Sequence, residues 1–238
     1  MLPHSLPDLP SYCVLCDCPI RRAFSLCKEC EDDLPKILHA CKLCGIPLNE
    51  SSRVCGQCLK TKPVVDFSLS LYHYESPVDY LISQLKFRQK LSYAAILGHL
   101  LSEHLLNTMS AKLPDAIIPV PLYKKRLGKR GFNQSLEIAK IVSKKTGLTI
   151  DTQLVSRKKS TRAQSSLHLK QRKQNVKDCF QIKNQNQGAP VYERIAILDD
   201  VVTTGATTNE LAKVLKTAGI KKVGVWSIGR AVLHGNNS

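Results

Sequence analysis

Residues 194–210 read Arg-Ile-Ala-Ile-Leu-Asp-Asp-Val-Val-Thr-Thr-Gly-Ala-Thr-Thr-Asn-Glu, and the reading of this stretch decides the fold. Ile195 to Leu198 is an unbroken aliphatic run, the pattern of a strand buried on both faces of a parallel sheet. Asp199 and Asp200 put a pair of carboxylates at its carboxyl end, which is where open α/β sheets bind ligands. The chain then passes through Thr203, Thr204, Gly205, Ala206 and Thr207 into a segment whose Leu211, Val214, Leu215 and Ala218 keep the i, i+3, i+4, i+7 spacing of a helix.

A hydroxyl-rich turn ahead of a helix offers an anion hydroxyl donors, backbone N–H groups and the positive end of the helix dipole, and Gly205 lets it close tightly. Capping the helix needs one hydroxyl, and four are present. The neighbouring carboxylates are acceptors only, suited to vicinal sugar hydroxyls. Together the two parts describe a site for a phosphorylated ribose. The segment resembles the signature of type I phosphoribosyltransferases. That resemblance implies that Asp199 and Asp200 hold the 2- and 3-hydroxyls of phosphoribosyl pyrophosphate (PRPP), bound with Mg2+, and that Thr203, Thr204, Gly205, Ala206 and Thr207 hold its 5-phosphate. The fold it implies is a twisted, mostly parallel α/β sheet flanked by helices.

Upstream, Phe67, Leu69 and Leu71 alternate as in a half-buried strand, and Val78, Leu81, Ile82 and Leu85 mark an amphipathic helix. Lys86 and Arg88 close that helix and read as partners of its dipole. Ile117 to Val120 is a second buried strand. It leads into Leu122-Tyr-Lys-Lys-Arg-Leu-Gly-Lys-Arg-Gly-Phe-Asn-Gln134, expected to be a basic loop before a helix carrying Ile138, Ile141 and Val142. In the phosphoribosyltransferase plan the loop after this strand cradles pyrophosphate, which makes Lys124, Lys125, Arg126, Lys129, Arg130, Asn133 and Gln134 candidates for that anion or for a nucleic-acid backbone. Residues 155–180 read as a Ser-rich loop and then a short basic helix, a lid over the site that carries Arg157, Arg162 and Arg172.

The N-terminal quarter is organised by cysteine. Cys13, Cys16, Cys27 and Cys30 recur as Cys41, Cys44, Cys55 and Cys58 at an offset of 28 residues, and Leu15, Pro19 and Pro35 recur as Leu43, Pro47 and Pro63. Paired Cys-x-x-Cys steps in a duplicated unit predict two structural zinc ions, one per repeat or with pairs crossed between repeats. Four thiolates per ion leave no open position for a catalytic water. Cys18 is a spare thiol able to exchange with Cys16, and Cys179 has no base partner nearby in sequence; both read as bystanders. Cysteines spaced for metal argue for a reducing compartment, and the Met1–Pro7 stretch has no signal-peptide pattern, so a cytoplasmic location is expected. No run is apolar over the length of a membrane span. The expected organisation is a double zinc-ribbon module over 1–63 and a phosphoribosyltransferase-like domain over 64–238.

The order Pro-Val-Pro-Leu, Arg-Gly-Phe-Asn-Gln, Arg-x-x-x-Thr-x-x-Gln-x-x-Leu, Arg-x-x-Asn-Val and Asp-Asp-x-x-Thr-Thr-Gly, behind paired zinc knuckles, resembles the ComF/GntX family of bacterial competence proteins. The resemblance spans about Cys13 to Arg230. It implies a cytoplasmic role in taking up transforming DNA, binding to single-stranded DNA and contacts with other competence proteins. Charge bears on this independently. The chain carries a net +16, and between Pro119 and Phe180 there are 16 Lys and Arg against 3 acids. Residues 1–62 hold 8 cations and 7 acids, so any attraction for a phosphate backbone belongs to the loops around the sugar-phosphate site. Tyr123 and Phe132 are the only aromatics in those loops. The alternative is a metabolic phosphoribosyltransferase acting on a nucleobase or amine, whose acceptor the sequence does not name.

Overall fold

The computed structural model describes residues 11–49, 53–109, 113–159, 176–183 and 192–232. Its centre is a five-stranded parallel sheet built from β3 (Phe67–His73), β4 (Ala116–Pro119), β5 (Thr149–Ile150), β8 (Arg194–Val202) and β9 (Lys222–Arg230), in the spatial order β3-β9-β8-β4-β5. Helices α3 (Val78–Arg88), α4 (Ser92–Met109), α5 (Lys124–Arg130), α6 (Gln134–Thr146) and α7 (Ala206–Thr217) connect them. A two-stranded antiparallel ribbon, β6 (Val155–Arg157) with β7 (Phe180–Ile182), stands apart from the sheet.

The aliphatic run of β8 works as its composition requires. Side chains alternate across a strand, so Ala196 and Leu198 enter one core with α3, α4 and α6, while Ile195 and Ile197 enter another with Leu211, Ala212 and Leu215 of α7. All four are buried. β8 runs past the acidic pair to Val202, so Asp199 and Asp200 lie inside the strand's last turns of pleat rather than beyond its end. The segment expected to be a loop contains α5 instead. Its Lys, Arg and Leu are good helix formers, and Gly131 ends it in the left-handed conformation at φ +80°.

From β4 the chain moves outward through α5 and α6 to β5, and from β8 it moves the opposite way through α7 to β9. β4 and β8 are neighbours, with Pro119 facing Leu198 in register. Connections that diverge from adjacent strands leave a crevice at their carboxyl ends, and that crevice is the usual ligand site of such sheets.

The cysteine-rich region folds as a true repeat. Tyr12 pairs with Pro19 in the hairpin of β1 (Ser11–Tyr12) and β2 (Pro19–Ile20), and Ala40 pairs with Pro47 at the same offset of 28. The turn bonds repeat as well: Cys13 N–H to Cys18 carbonyl at 2.9 Å becomes Cys41 N–H to Ile46 carbonyl at 2.8 Å. Each repeat closes on a short helix, α1 (Lys28–Asp32) or α2 (Gly56–Lys60), that starts directly after a cysteine. This region covers the free side of edge strand β3, where Ile37 N–H bonds the Leu71 carbonyl and His73 N–H bonds the Pro35 carbonyl, both at 2.9 Å. Covering an exposed edge removes a site for unwanted strand pairing. Phe24 stacks on His99 of α4 at 4.8 Å between ring centroids, which joins the first repeat to the main core.

Candidate functional site

Asp199 and Asp200 meet at the β4/β8 crevice with opposite surroundings. Asp199 Oδ1 accepts from the Asp200 N–H at 2.9 Å and from Ser135 Oγ at 3.4 Å, and it lines the pocket formed by the following turn. Asp200 is buried and paired with Lys86 Nζ at 2.9 Å, while its Oδ2 is buried and has no hydrogen-bond partner among the described residues. Lys86 was expected to serve the dipole of α3. Its position could have been read differently, because it follows Ile82 by four residues and so extends the buried face of that helix.

The turn after β8 has the anticipated shape. Asp199, Thr203, Gly205, Ala206, Thr207 and Thr208 line one pocket, so the first carboxylate of the acidic pair shares a cavity with the hydroxyl-rich turn, while Asp200 lies buried beside it. Gly205 precedes α7 at φ +73°, a conformation in which a side chain would be strained, and an added Cβ would press on Asn209 Nδ2 at 3.3 Å. Thr204 Oγ1 accepts from the Ala206 N–H at 3.2 Å, and Thr208 Oγ1 donates to the Gly205 carbonyl at 3.0 Å. Two hydroxyls thus shape the turn. Asn209 bonds the Gly205 carbonyl and accepts from Val64 N–H at 2.9 Å, which ties the turn to the end of the cysteine-rich region.

The basic candidates separate into two groups. Lys124, Lys125 and Lys129 are exposed on α5, whereas Arg126 and Arg130, one helical turn apart, are half-buried. Burial lowers the Arg130 guanidinium from its ordinary range against the pull of Asp200, and burial does the same at Arg157, where Arg126 and Asp199 are among the neighbouring charges. Lys86 therefore pairs with Asp200, Arg130 and Arg157 each feel one of the two carboxylates, and Arg126 lies near both arginines, so positive charge exceeds negative around the acidic pair. Asn133 Nδ2 donates to the Val120 carbonyl at 3.0 Å and its Oδ1 caps α6 at the Ser135 N–H, while buried Gln134 accepts from Arg130 Nη1 at 2.8 Å. Those two amides bond the scaffold that carries the arginines. Arg162, Arg172 and the expected lid helix fall within 160–175, outside the described residues. The β6–β7 ribbon is where that segment leaves and rejoins the described chain, and Arg157 at its end stacks on Phe180 at 5.4 Å.

The eight paired cysteines gather within repeats, not across them. Cys13, Cys16, Cys27 and Cys30 bring their Sγ atoms within 4.8 Å of one another, and so do Cys41, Cys44, Cys55 and Cys58. Backbone N–H groups point at the sulfurs, Cys30 to Cys27 Sγ at 3.4 Å and Cys55 to Cys41 Sγ at 3.3 Å. Burial opposes ionisation of Cys13, but backbone hydrogen bonds outweigh it and bring the thiol down to about 6; the same balance brings Cys41 to about 7. Burial pushes Cys44 up to about 11 and raises Cys30 and Cys58 as well. One thiol per cluster is poised to ionise and its neighbours are held back by burial first and by the adjoining cysteines second, a conflict that a divalent cation resolves. The donor set thus fits two structural zinc ions. Cys18 lies 3.3 Å from Cys16 Sγ, beside the first cluster, and Cys179 is buried.

A model of the double zinc ribbon domain matches residues 8–59. The DNA utilization protein YhgH of Salmonella typhimurium is 33% identical over 228 residues, covering 94% of this chain and 99% of that protein. Competence protein F of Haemophilus influenzae is 36% identical over 176 residues, 73% of this chain and 76% of its own. The chain belongs to the ComF/GntX family. A more distant member by identity, competence protein ComFC of Streptococcus pneumoniae, is 28% identical over 161 residues, 68% of this chain and 67% of its own. No helix among the described residues is long and apolar enough to cross a membrane.

In this ComF/GntX protein the acidic pair has a measurable signature. Its low-dielectric setting first, and the Asp200 carboxylate second, push the Asp199 carboxyl up to about 7, with Lys86 pulling the other way. An unfolded aspartate titrates near ~3.9, so this group's contribution is full below that pH and is lost as pH rises through about 7. Asp199→Asn should therefore be more stable than wild type at pH 8 and no more stable at pH 4. The expected gain is about 2 kcal/mol, less than the full value of such a shift because Asp199 keeps a solvent-facing edge. Urea denaturation of both proteins at the two pH values checks it; an equal difference at each would show that the pair is not in conflict.

Proposed function

We propose that the crevice binds a phosphoribosyl ligand of the PRPP type and that the basic residues around it bind single-stranded DNA, in a protein that handles DNA during its uptake. The observation that carries the reading is the shared pocket: Asp199 lines it together with Thr203, Gly205, Ala206, Thr207 and Thr208, while the adjacent Asp200 is paired with Lys86, and Arg130 and Arg157 feel the charges of Asp200 and Asp199. In this reading the sugar hydroxyls donate to Asp199 and Asp200. A buried carboxylate oxygen without a donor is costly, and Asp200 Oδ2 is such an atom. The 5-phosphate lies on Thr203 to Thr207, and the pyrophosphate, carrying Mg2+, faces Arg126, Arg130 and Arg157.

The relatives named for competence and for DNA utilization support the nucleic-acid half. So does Phe87, which the sequence alone did not single out. It is 71% exposed next to Lys86, with the Arg130 guanidinium 5.8 Å from its ring centroid. An open aromatic face beside a cation is a platform for a base. The cysteine clusters, both expected to hold zinc and not disulfides, suit a cytoplasmic setting.

PRPP with Mg2+ at about 100 times its dissociation constant should stabilise the protein by about 2.7 kcal/mol, read as a rise in melting temperature. The Asp199→Ala, Asp200→Ala double variant should lose that rise. A wild-type melting curve indifferent to the ligand, or the same rise in the double variant, defeats the assignment.

A further inference from the structure

Arg230 ends β9 and is only 5% exposed, yet its guanidinium faces no carboxylate partner among the described ion pairs. It is surrounded by carbonyls. Nε donates to the Cys44 carbonyl at 3.0 Å, and Nη1 donates to Val202 at 3.3 Å, to Ala231 at 2.5 Å and to Thr203. Cys44 belongs to the second cysteine cluster, and Thr203 is the first residue of the turn that lines the candidate phosphate pocket. One buried side chain therefore spans two sites whose residues are about 160 positions apart in sequence.

The neighbouring contacts make this a rigid connection. Three consecutive carbonyls of the second knuckle are held by the sheet: Lys42 by Ser68 N–H at 2.7 Å, Leu43 by Ser68 Oγ at 2.8 Å and Cys44 by Arg230. Gly45, at φ +67°, packs so close to β3 that a Cβ would lie 2.8 Å from Ser70 Oγ. Among the described residues the first cluster has no such link; its repeat packs on α4 through Phe24 and His99. We propose that Arg230 couples the second zinc cluster to the turn at Thr203–Thr207: metal in that cluster fixes the Cys44 carbonyl on Arg230, and Arg230 in turn fixes the Thr203 carbonyl and with it the anion-binding shape of the turn. The anion-binding part rests on the function proposed above; the mechanical link does not. Linkage makes the effect reciprocal, so an anion seated on the turn also retains the second zinc ion.

Amide hydrogen exchange of the full-length protein, followed by mass spectrometry, separates the two parts. After zinc is withdrawn by a chelator, peptides covering 203–207 of the wild type should exchange faster by about 5-fold or more, the lower end of ordinary coupling, beyond whatever general acceleration peptides covering 195–198 show. Arg230→Met should show the fast rate with zinc still bound and no further response to the chelator. The turn keeping its rate in zinc-depleted wild type overturns the proposal, and this arm decides the matter if Arg230→Met does not fold. In a final arm, PRPP with Mg2+ should slow N-ethylmaleimide labelling of Cys41, Cys44, Cys55 and Cys58 and leave the first cluster unchanged; equal slowing of both clusters also overturns it. A protein whose turn responds to zinc but whose melting ignores PRPP retains the coupling and loses the phosphoribosyl reading.

Discussion

Metal analysis of the purified protein should return two zinc ions per chain, and a strong chelator should unfold the cysteine-rich region. The reason is composition. The segment ahead of β3 has few large apolar side chains, and a unit of that size cannot bury enough surface to fold unaided. Apparent binding free energies of structural zinc, roughly 10–16 kcal/mol per ion, exceed what its few buried residues supply. Cys13, Phe24, Leu26, Cys27 and Leu34 are also part of the core that α3, α4 and α6 share, so the loss should reach the α/β body as a lower melting temperature. Cys30→Ser and Cys58→Ser should each lower the stoichiometry by one, since the clusters form within repeats. Limited proteolysis after chelation should cut first ahead of Asp66. A stoichiometry near one in wild type would mean that a repeat has kept its cysteines without its ion, and a value near zero would remove the zinc assignment.

How much of this was legible depended on how local the determining contacts are. β8 was readable because burial on both faces demands an unbroken aliphatic run, and the repeat was readable because its offset of 28 is preserved down to individual backbone bonds. Whether the cysteine pairs are crossed was not, since spacing constrains a cluster only through the packing of two repeats against β3. The helix at Lys124–Arg130 was hidden by its charge: six of its seven residues are good helix formers but they carry no apolar stripe, and Gly128 interrupts them, so periodicity had nothing to report. Lys86 pointed inward from the buried side of α3, a signal present but outweighed by its place at a helix C-terminus. Phe87 and Arg230 could not be assigned from sequence at all. The first needs Arg130 brought beside it from another element, and the second has partners at Cys44 and Thr203 that only the assembled fold supplies.

Single-stranded DNA should bind with little sequence preference and with a steep dependence on salt. Each phosphate neutralised contributes roughly −0.7 to the log-log slope. Replacing Lys124, Lys125, Arg126, Lys129 and Arg130 by Ala should flatten that slope by up to about 3.5, which at 0.1 M salt is a loss of up to about three thousand-fold in affinity. The three exposed lysines alone should account for most of the flattening, because Arg126 and Arg130 are half-buried. Phe87→Ala should act differently. Base stacking is worth about 1–3 kcal/mol and carries no charge, so its loss should weaken binding by a similar factor at every salt concentration and leave the slope intact. Because the same arginines face the proposed pyrophosphate position, PRPP should compete with DNA at least partly, and the competition should shrink in the Arg126, Arg130 double Ala variant. A fluorescence-anisotropy titration across several salt concentrations, with and without PRPP, reads all of these at once. DNA binding that is absent or independent of salt, together with turnover of PRPP onto a nucleobase or amine, would instead identify a metabolic phosphoribosyltransferase.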